Sequence, residues 1–481
     1  MKSDKKKARR SEMEKQTKKQ FVQAIFCAPT GSYMDKSYPS RLTDEVFLAL
    51  AEAGINRIFA FGYDSRKETA ESTFALCEKY GIKYYPTPRT ADEYTRIIPG
   101  ANGQKPFSEL TEVELEELDK RFIQEITPMT EKPAFGGIFF SDEKGYLAFD
   151  GIAHAKKVFD ENFGEFEFHV NFYSYSINDA IFWGGMGGIA PEKLPFQLEG
   201  DMAITFANRF NYYDRLVEGM LSKAPFEFMS QDKYPFENFW PTVPTSVHVA
   251  LFELNAYFNE KKKKYGNKFY NYMQVGEWNN SGRDMTFAEM ALQMHVTAAY
   301  GSDGFAYFPG FYPIDFAENR GGSSERGEGG AAFIDINGNR TIYCKWVQKL
   351  NQFFRSIEED ILSSEFLGLT SFGEYNNDFT QAEIEQLPDS ECIFCGTLPG
   401  ILYKESDIQV QSNNQVLASV FQREDKRRYY FVNLSTVHQN EVEVRLPEGK
   451  YQIYDKDGYH SSEAWAFFKL DAGCGVYIIE E

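Results

Sequence analysis

Between residues 20 and 366 the chain changes hydrophobic period again and again, and that alternation limits the fold more than any other feature. Short apolar runs at 20–30, 56–63, 83–87, 134–141, 167–173, 226–230, 268–275 and 304–308 read as strands. Amphipathic stretches at 42–54, 68–81, 111–125, 152–162, 212–222, 246–265, 287–300 and 343–361 read as helices between and after them. Local signals agree with the pattern. Thr43 or Asp44 can cap the first helix and Gly54 can end it, and four lysines close the helix at 246–265, where a macrodipole favours cations. Parallel strands joined by helices need both sheet faces covered, and eight such units are the number that closes a barrel. The expected architecture is α/β, a (β/α)8 TIM barrel.

Past residue 366 the helical period vanishes. Runs at 415–422, 427–433, 441–446, 449–455 and 475–479 alternate with turn signals and read as a small C-terminal antiparallel β-sandwich. A chain of 481 residues is too long for one ordinary domain. The expected division is a basic, disordered tail over 1–19, a catalytic barrel over 20–366 and a sandwich over 367–481. With no proline-rich linker between them, the last two should pack directly. The tail holds nine Lys/Arg against three Asp/Glu and has no apolar run, so it reads as neither a secretory signal nor a membrane span.

The whole chain carries a net charge of −20, which argues against nucleic acid or an anionic membrane as partner. Its six cysteines are too sparse for a disulfide scaffold and suit a reduced, cytoplasmic setting. Cys392 and Cys395 form a lone CxxC without the second ligand pair a zinc ribbon needs, so no metal is expected. His169, His248 and His295 fall in strand or helix stretches without acidic metal-ligand spacing, and core packing is their expected role.

Chemistry concentrates where the strands end. The fourth strand runs AFGGIFFSDEK, from an apolar stretch straight into Asp142 and Glu143. The seventh runs KFYNYMQVGEW and ends in Glu277 and Trp278. Carboxylates at buried strand ends are costly without a purpose, and the C-terminal rim of a barrel is where catalytic groups sit. Two carboxylates facing each other across the rim are what glycoside hydrolysis needs. The same rim collects Tyr63 from strand two, Asn171 and Tyr173 from strand five, Asp232 and Tyr234 from the stretch SQDKYPF after strand six, and Tyr307 from strand eight. Amides and carboxylates can accept from sugar hydroxyls, and aromatic rings can stack on sugar faces. Plainer roles stand beside each. Glu143 can be a solvated loop carboxylate, Glu277 can pair with Arg283, and most of the aromatic 16% can simply fill the core. Neither glycine-rich stretch, WGGMGG at 183–188 or the loop at 321–330, has the order of a phosphate cradle. The long insert that begins with WGGMGG is nonetheless more suited to function than to mere connection.

With these residues in view, 20–366 resembles the clan A glycoside hydrolases, retaining (β/α)8-barrel enzymes that include the β-galactosidase-like families. SQDKYPF and LQMHVTAAYGSDGFAYF look like a sparsely characterised group of barrel proteins from carbohydrate-degrading bacteria. The resemblance implies Glu143 as acid/base and Glu277 as nucleophile, an oligosaccharide or glycoside substrate bound by the other rim residues, and no cofactor. It also puts Asn before the acid/base, where Asp142 stands here. That departure keeps two rivals open: an inverting enzyme using Asp232, and a carbohydrate-binding barrel without catalysis. Sugar, linkage, anomer and oligomeric state, a homo-oligomer included, stay open.

Overall fold

The computed structural model describes residues 19–26, 41–60, 67–100, 103–174, 177–185, 189, 194, 204, 209–232, 234–236, 249–275, 285–311, 332–335, 337–373 and 408–481. Eight parallel strands form the barrel: β1 (Val22–Phe26), β2 (Arg57–Phe59), β3 (Lys83–Tyr85), β4 (Gly137–Asp142), β5 (Glu167–Phe172), β6 (Phe228–Gln231), β7 (Lys268–Gln274) and β8 (Gly304–Phe308). Their order is β3-β2-β1-β8-β7-β6-β5-β4. The two ends meet through a parallel bridge between Tyr84 and Phe135, so the sheet comes back on itself.

The main helices are α1 (Asp44–Ala53), α2 (Lys67–Tyr80), α3 (Glu112–Ile126), α4 (Phe149–Phe163), α5 (Arg209–Leu221), α6 (Leu254–Tyr265), α7 (Phe287–Ala299) and α8 (Ile342–Ile361). Helix starts follow local chemistry. Thr43 accepts from the Val46 amide at the head of α1. Thr111 with Glu114 and Thr286 with Glu289 form reciprocal capping boxes on α3 and α7. Gly54 ends α1 at φ 92°, a left-handed conformation that glycine adopts without a Cβ penalty.

Alternation along the strands divides the core in two. Outward residues pack beneath the helices in one large cluster. Inward residues, among them Ala24, Phe26, Phe59, Phe139, Tyr272 and Phe308, fill the barrel itself. Toward the N-terminal ends of the strands the interior turns polar but stays paired. The Arg57 guanidinium makes two hydrogen bonds to the Glu167 carboxylate and lies over the rings of Tyr85 and Phe228. Tyr85 Oη donates to the same carboxylate at 2.8 Å. This plug seals the bottom and leaves the C-terminal rim as the face for chemistry.

The sandwich consists of a six-stranded sheet, β15-β14-β17-β12-β11-β9, and a three-stranded sheet, β10-β13-β16. Its strands are β9 (Glu365–Phe372), β10 (Gln409–Ser412), β11 (Val416–Arg423), β12 (Lys426–Asn433), β13 (Asn440–Arg445), β14 (Tyr451–Asp455), β15 (Gly458–Ser462), β16 (Trp465–Leu470) and β17 (Gly475–Glu480). An apolar cluster that includes Val420, Phe431, Val444 and Phe468 sits between the sheets. The sandwich packs directly on α7 and α8. His295 Nδ1 lies 2.6 Å from Tyr430 Oη. Asp360 at the end of α8 accepts from Arg428 at 2.9 and 3.1 Å and from Tyr477 Oη at 2.8 Å.

Candidate active site

β4 carries the first two carboxylates, and two backbone irregularities aim them. From Gly137, strict alternation would turn Asp142 outward toward the helices. A bulge between Phe139 and Ser141 changes the count. Phe139 pairs with inward His169, Phe140 stacks outward on Phe168, and Asp142 comes into register with Asn171. The bulge therefore swings Asp142 to the barrel side. Glu143 follows at φ 48°, a region a side chain with a Cβ occupies only at a cost of about 1–3 kcal/mol. Its amide still donates to Asn171 O at 3.0 Å, and the residue is 8% exposed. A strained, nearly buried glutamate at a strand end has been turned to a definite direction.

The glycine-rich insert holds that turn from outside. After the short helix Asp179–Gly184, Gly185 pairs with Lys144 in an isolated antiparallel bridge. Gly185 has φ 78° and ψ −160°, a combination essentially confined to glycine. A Cβ there would lie 2.3 Å from Glu143 O. Gly145 is equally tight: its Cβ would lie 2.4 Å from Gly185 N. Trp183 is 6% exposed, edge-on to Tyr146 and Phe182, so it anchors the insert. Gly185→Ala is expected to lower unfolding free energy by about 2 kcal/mol or more and to reduce turnover, because Glu143 must shift. Urea unfolding alongside kcat checks this; a stable variant with unaltered kcat would mean that the contact does not position Glu143.

A chain of hydrogen bonds fixes Asp142 from within. Asn171 Nδ2 donates to Asp142 Oδ1 at 3.0 Å. Ser230 Oγ donates to Asn171 Oδ1 at 2.7 Å and lies 3.1 Å from His169 Nε2. Tyr270 Oη is 3.0 Å from the same nitrogen. Since the Ser230 proton goes to Asn171, His169 Nε2–H is the donor to Ser230. Burial, helped by the Arg57 charge, lowers the His169 pKa to about 3, so the ring is neutral at pH 7 and its one proton is on Nε2.

Asp232, one residue past β6, brings a third carboxyl. It lies within electrostatic reach of Glu143 and Asp142. Burial, then the charges of Glu143 and Asp142, hold its pKa well above the usual carboxylate range. Burial also raises Asp142 to about 6, against the pull of Asn171 and Lys144. Burial, then the charges of Asp232 and Glu143, raise the pKa of Tyr213 on α5 well above the ordinary phenol value. Of the carboxyls at this rim, Asp232 is the one that burial and its acidic neighbours most strongly hold protonated.

Of the residues read from the sequence as site residues, the structure brings together Asp142, Glu143, Asn171 and Asp232. Tyr234 lies nearby at the top of the barrel filling, 6% exposed and stacked on Phe308 at 5.5 Å. The loop that carries it is tied to the end of β7, where the Phe236 amide donates to Gln274 Oε1 at 3.0 Å. Tyr173 follows Asn171 at the same strand parity, half-buried. Tyr307 is not brought to the rim. It points outward between β8 and α8, fully buried, and its hydroxyl donates to Gln23 Oε1 at 2.6 Å. Strand parity explains this, for Ala306 and Phe308 take the inward places. Glu277, Trp278, Tyr63, His248 and the Cys392/Cys395 pair lie outside the described residues. Among the described residues, no group of three or more His, Cys, Asp or Glu is placed to hold a metal ion. Sequence reasoning missed Ser230, Tyr213 and Gly185 as parts of the site.

No family model matches the chain, and no curated protein does. Solved structures match in fold. A GH42 β-galactosidase from G. stearothermophilus aligns at a TM-score of 0.53 and 10% identity, covering 97% of this chain and 98% of that one. A family 39 glycoside hydrolase from the gut symbiont Bacteroides cellulosilyticus WH2 aligns at 0.50 and 10% identity, covering 96% and 81%. The chain spans 62% of the length of a β-galactosidase from the psychrophilic Marinomonas ef1, matched at 8% identity over 72% of this chain with a TM-score of 0.46. At these identities the likeness is one of architecture: this chain has the fold of the clan A glycoside hydrolases.

Proposed function

We propose that the protein is a retaining glycoside hydrolase acting on an oligosaccharide or short glycoside, with Glu143 as acid/base and Glu277 as nucleophile. The observation that carries this is Glu143 itself, held in a costly left-handed conformation at the end of β4 beside Asp142 and Asp232. The shared fold supports it. In the first step Glu143 protonates the glycosidic oxygen as the Glu277 carboxylate attacks the anomeric carbon, forming a glycosyl–enzyme ester. In the second, Glu143 takes a proton from water, whose oxygen displaces Glu277 and releases the sugar. Asp142, Asn171 and Asp232 would meet hydroxyls, and Tyr173, Tyr234, Tyr63 and Trp278 would offer ring surface. No step needs a metal or an organic cofactor.

Pairing Glu143 with Asp232 as an inverting couple fits poorly. An inverting pair needs roughly 6.5–9.5 Å between carboxyls to seat a water. Here Asp232 lies close enough to Glu143 that the Glu143 charge opposes its ionisation. Proton NMR of the first-formed product, over a panel of aryl glycosides, tests the assignment. The expected product keeps the substrate's anomeric configuration, and a 2-deoxy-2-fluoro glycoside should label the peptide that contains Glu277. An inverted product would refute retention, and tight binding without turnover across the panel would favour a carbohydrate-binding barrel.

A further inference from the structure

We propose that His169 is a positioning residue of this site: it is the donor that fixes which way the Asn171 amide faces, and through Asn171 it holds the corner formed by Asp142 and Glu143. Its effect on turnover rests on the hydrolase reading, whereas the hydrogen-bond chain does not.

Strand register assembles the chain. Asp142 on β4, Asn171 on β5, Ser230 on β6 and Tyr270 on β7 are successive partners, one row of residues across four strands. His169 lies two residues below Asn171 on the same face of β5. Its ring packs nearly parallel to Phe59, at 4.8 Å and 11°, and to Tyr270, at 5.4 Å and 20°. His169, Ser230 and Tyr270 are all buried, so a donor lost from this row is not replaced by bulk water.

The direction of each bond follows from the carboxylate end. Above its pKa of about 6, Asp142 can only accept, so Asn171 must turn Nδ2 toward it, at 3.0 Å. Asn171 Oδ1 then faces Ser230 Oγ, which donates its single proton there at 2.7 Å. Ser230 Oγ is left as the acceptor for the atom 3.1 Å away, His169 Nε2. Tyr270 Oη, 3.0 Å from Nε2 and 3.2 Å from Nδ1, can donate only to Nδ1. Every bond points toward Asp142. Without the His169 donor, Ser230 and Asn171 are able to reverse together, and Asn171 would offer an oxygen to a carboxylate. The Asn171 backbone extends the effect, because its carbonyl accepts from the Glu143 amide at 3.0 Å. One asparagine thus fastens both residues of the corner. The charges that bear on the chain are Arg57 near His169, and Lys144 and Asp232 near Asp142.

Nitrogen-15 spectra of histidine-labelled protein near pH 7.5 read the ring directly and need no substrate, His169 being assigned by the signal lost in His169→Gln. A pyrrole-type Nε2 and a pyridine-type Nδ1 are expected. The opposite tautomer, or an imidazolium, overturns the proposal, and this holds even where a variant fails to fold. Two variants, each checked by circular dichroism, separate direction from packing. His169→Met fills the space without a donor, and His169→Gln brings an amide N–H close to the place of Nε2. The carbon-13 titration of the Asp142 carboxyl, assigned with Asp142→Asn, should move up by about one pH unit or more in His169→Met and stay near the parent value in His169→Gln. On an aryl glycoside kcat/KM should fall about 10–100-fold in His169→Met and less than about fivefold in His169→Gln. Equal shifts in the two variants, or no shift in either, would leave His169 a packing residue and overturn the proposal. If tautomer and titration behave as expected but the parent hydrolyses no glycoside, the positioning chain stands and the hydrolase reading falls.

Discussion

Glu143→Gln is expected to lower kcat/KM by about 10²–10⁴-fold on glycosides with poor leaving groups, the range that a positioned general acid contributes. The substituted amide has nearly the same shape, so the fold should survive. Its unfolding free energy should stay within about 1 kcal/mol of the parent, as expected for an isosteric change that leaves no group unpaired. Activity should therefore fall without the protein unfolding, which distinguishes a chemical role from a packing one. The loss should shrink as the leaving group becomes more acidic, because departure of a nitrophenolate needs less protonation. Steady-state kinetics over a graded series of aryl and alkyl glycosides makes the comparison. A variant within tenfold of the parent on the alkyl substrates would remove Glu143 from the mechanism and leave the cost of its left-handed backbone unexplained.

The sequence carried the architecture because the architecture depends on period. Eight apolar runs bounded by turn and cap signals fall where β1 to β8 lie, and the run at 304–308 coincides with β8. Caps were legible for the same local reason: Thr43 sits directly before a helical stretch, and its side chain does cap α1. Strands without an apolar run escaped notice. β15 is GYHSS, exposed along nearly all its length, and β10 is QVQS at a sheet edge. β9 and β16 were missed too. β16 shows a ring or a methyl on both faces, so WAFFKL has no polar alternation to reveal it.

The site was legible as residue types at strand ends and illegible as geometry. Nothing in AFGGIFFSDEK marks the bulge that reverses the parity of Asp142, since a bulge is a property of pairing with β5. Tyr307 shows the same limit from the other side. It stands one residue before the end of β8, and only parity decides that it packs under α8. Glu143 and Asp232, far apart in sequence, come near each other just past the ends of β4 and β6, strands with β5 between them. Ser230 and His169 look like ordinary strand residues, and they matter only because Asn171 lies between them and Asp142.

Asp142→Asn is expected to stabilise the protein at neutral pH by up to about 3 kcal/mol. In the unfolded chain this carboxyl ionises near its ordinary value of 3.8, whereas in the fold burial raises it to about 6. The folded protein thus holds its proton more tightly than the unfolded one over that interval. The sign follows: stability is full below the unfolded pKa, falls as pH rises from about 3.8 to 6, and stays lower above it. An amide has no proton to lose and escapes the penalty. Its oxygen can still accept from Asn171 Nδ2, so the chain through Ser230 and His169 is kept. The gap between variant and parent should be about 3 kcal/mol at pH 7, roughly half that at pH 5, and vanish toward pH 3. Urea unfolding at several pH values measures it; a gap that does not change with pH would locate the effect in packing. The same change should lower the pKa of Asp232, because it removes one of the two charges that oppose its ionisation. A more stable protein with an earlier alkaline limb would show that Asp142 is kept as an acid at the expense of stability, because the proton on Asp232 depends on its charge.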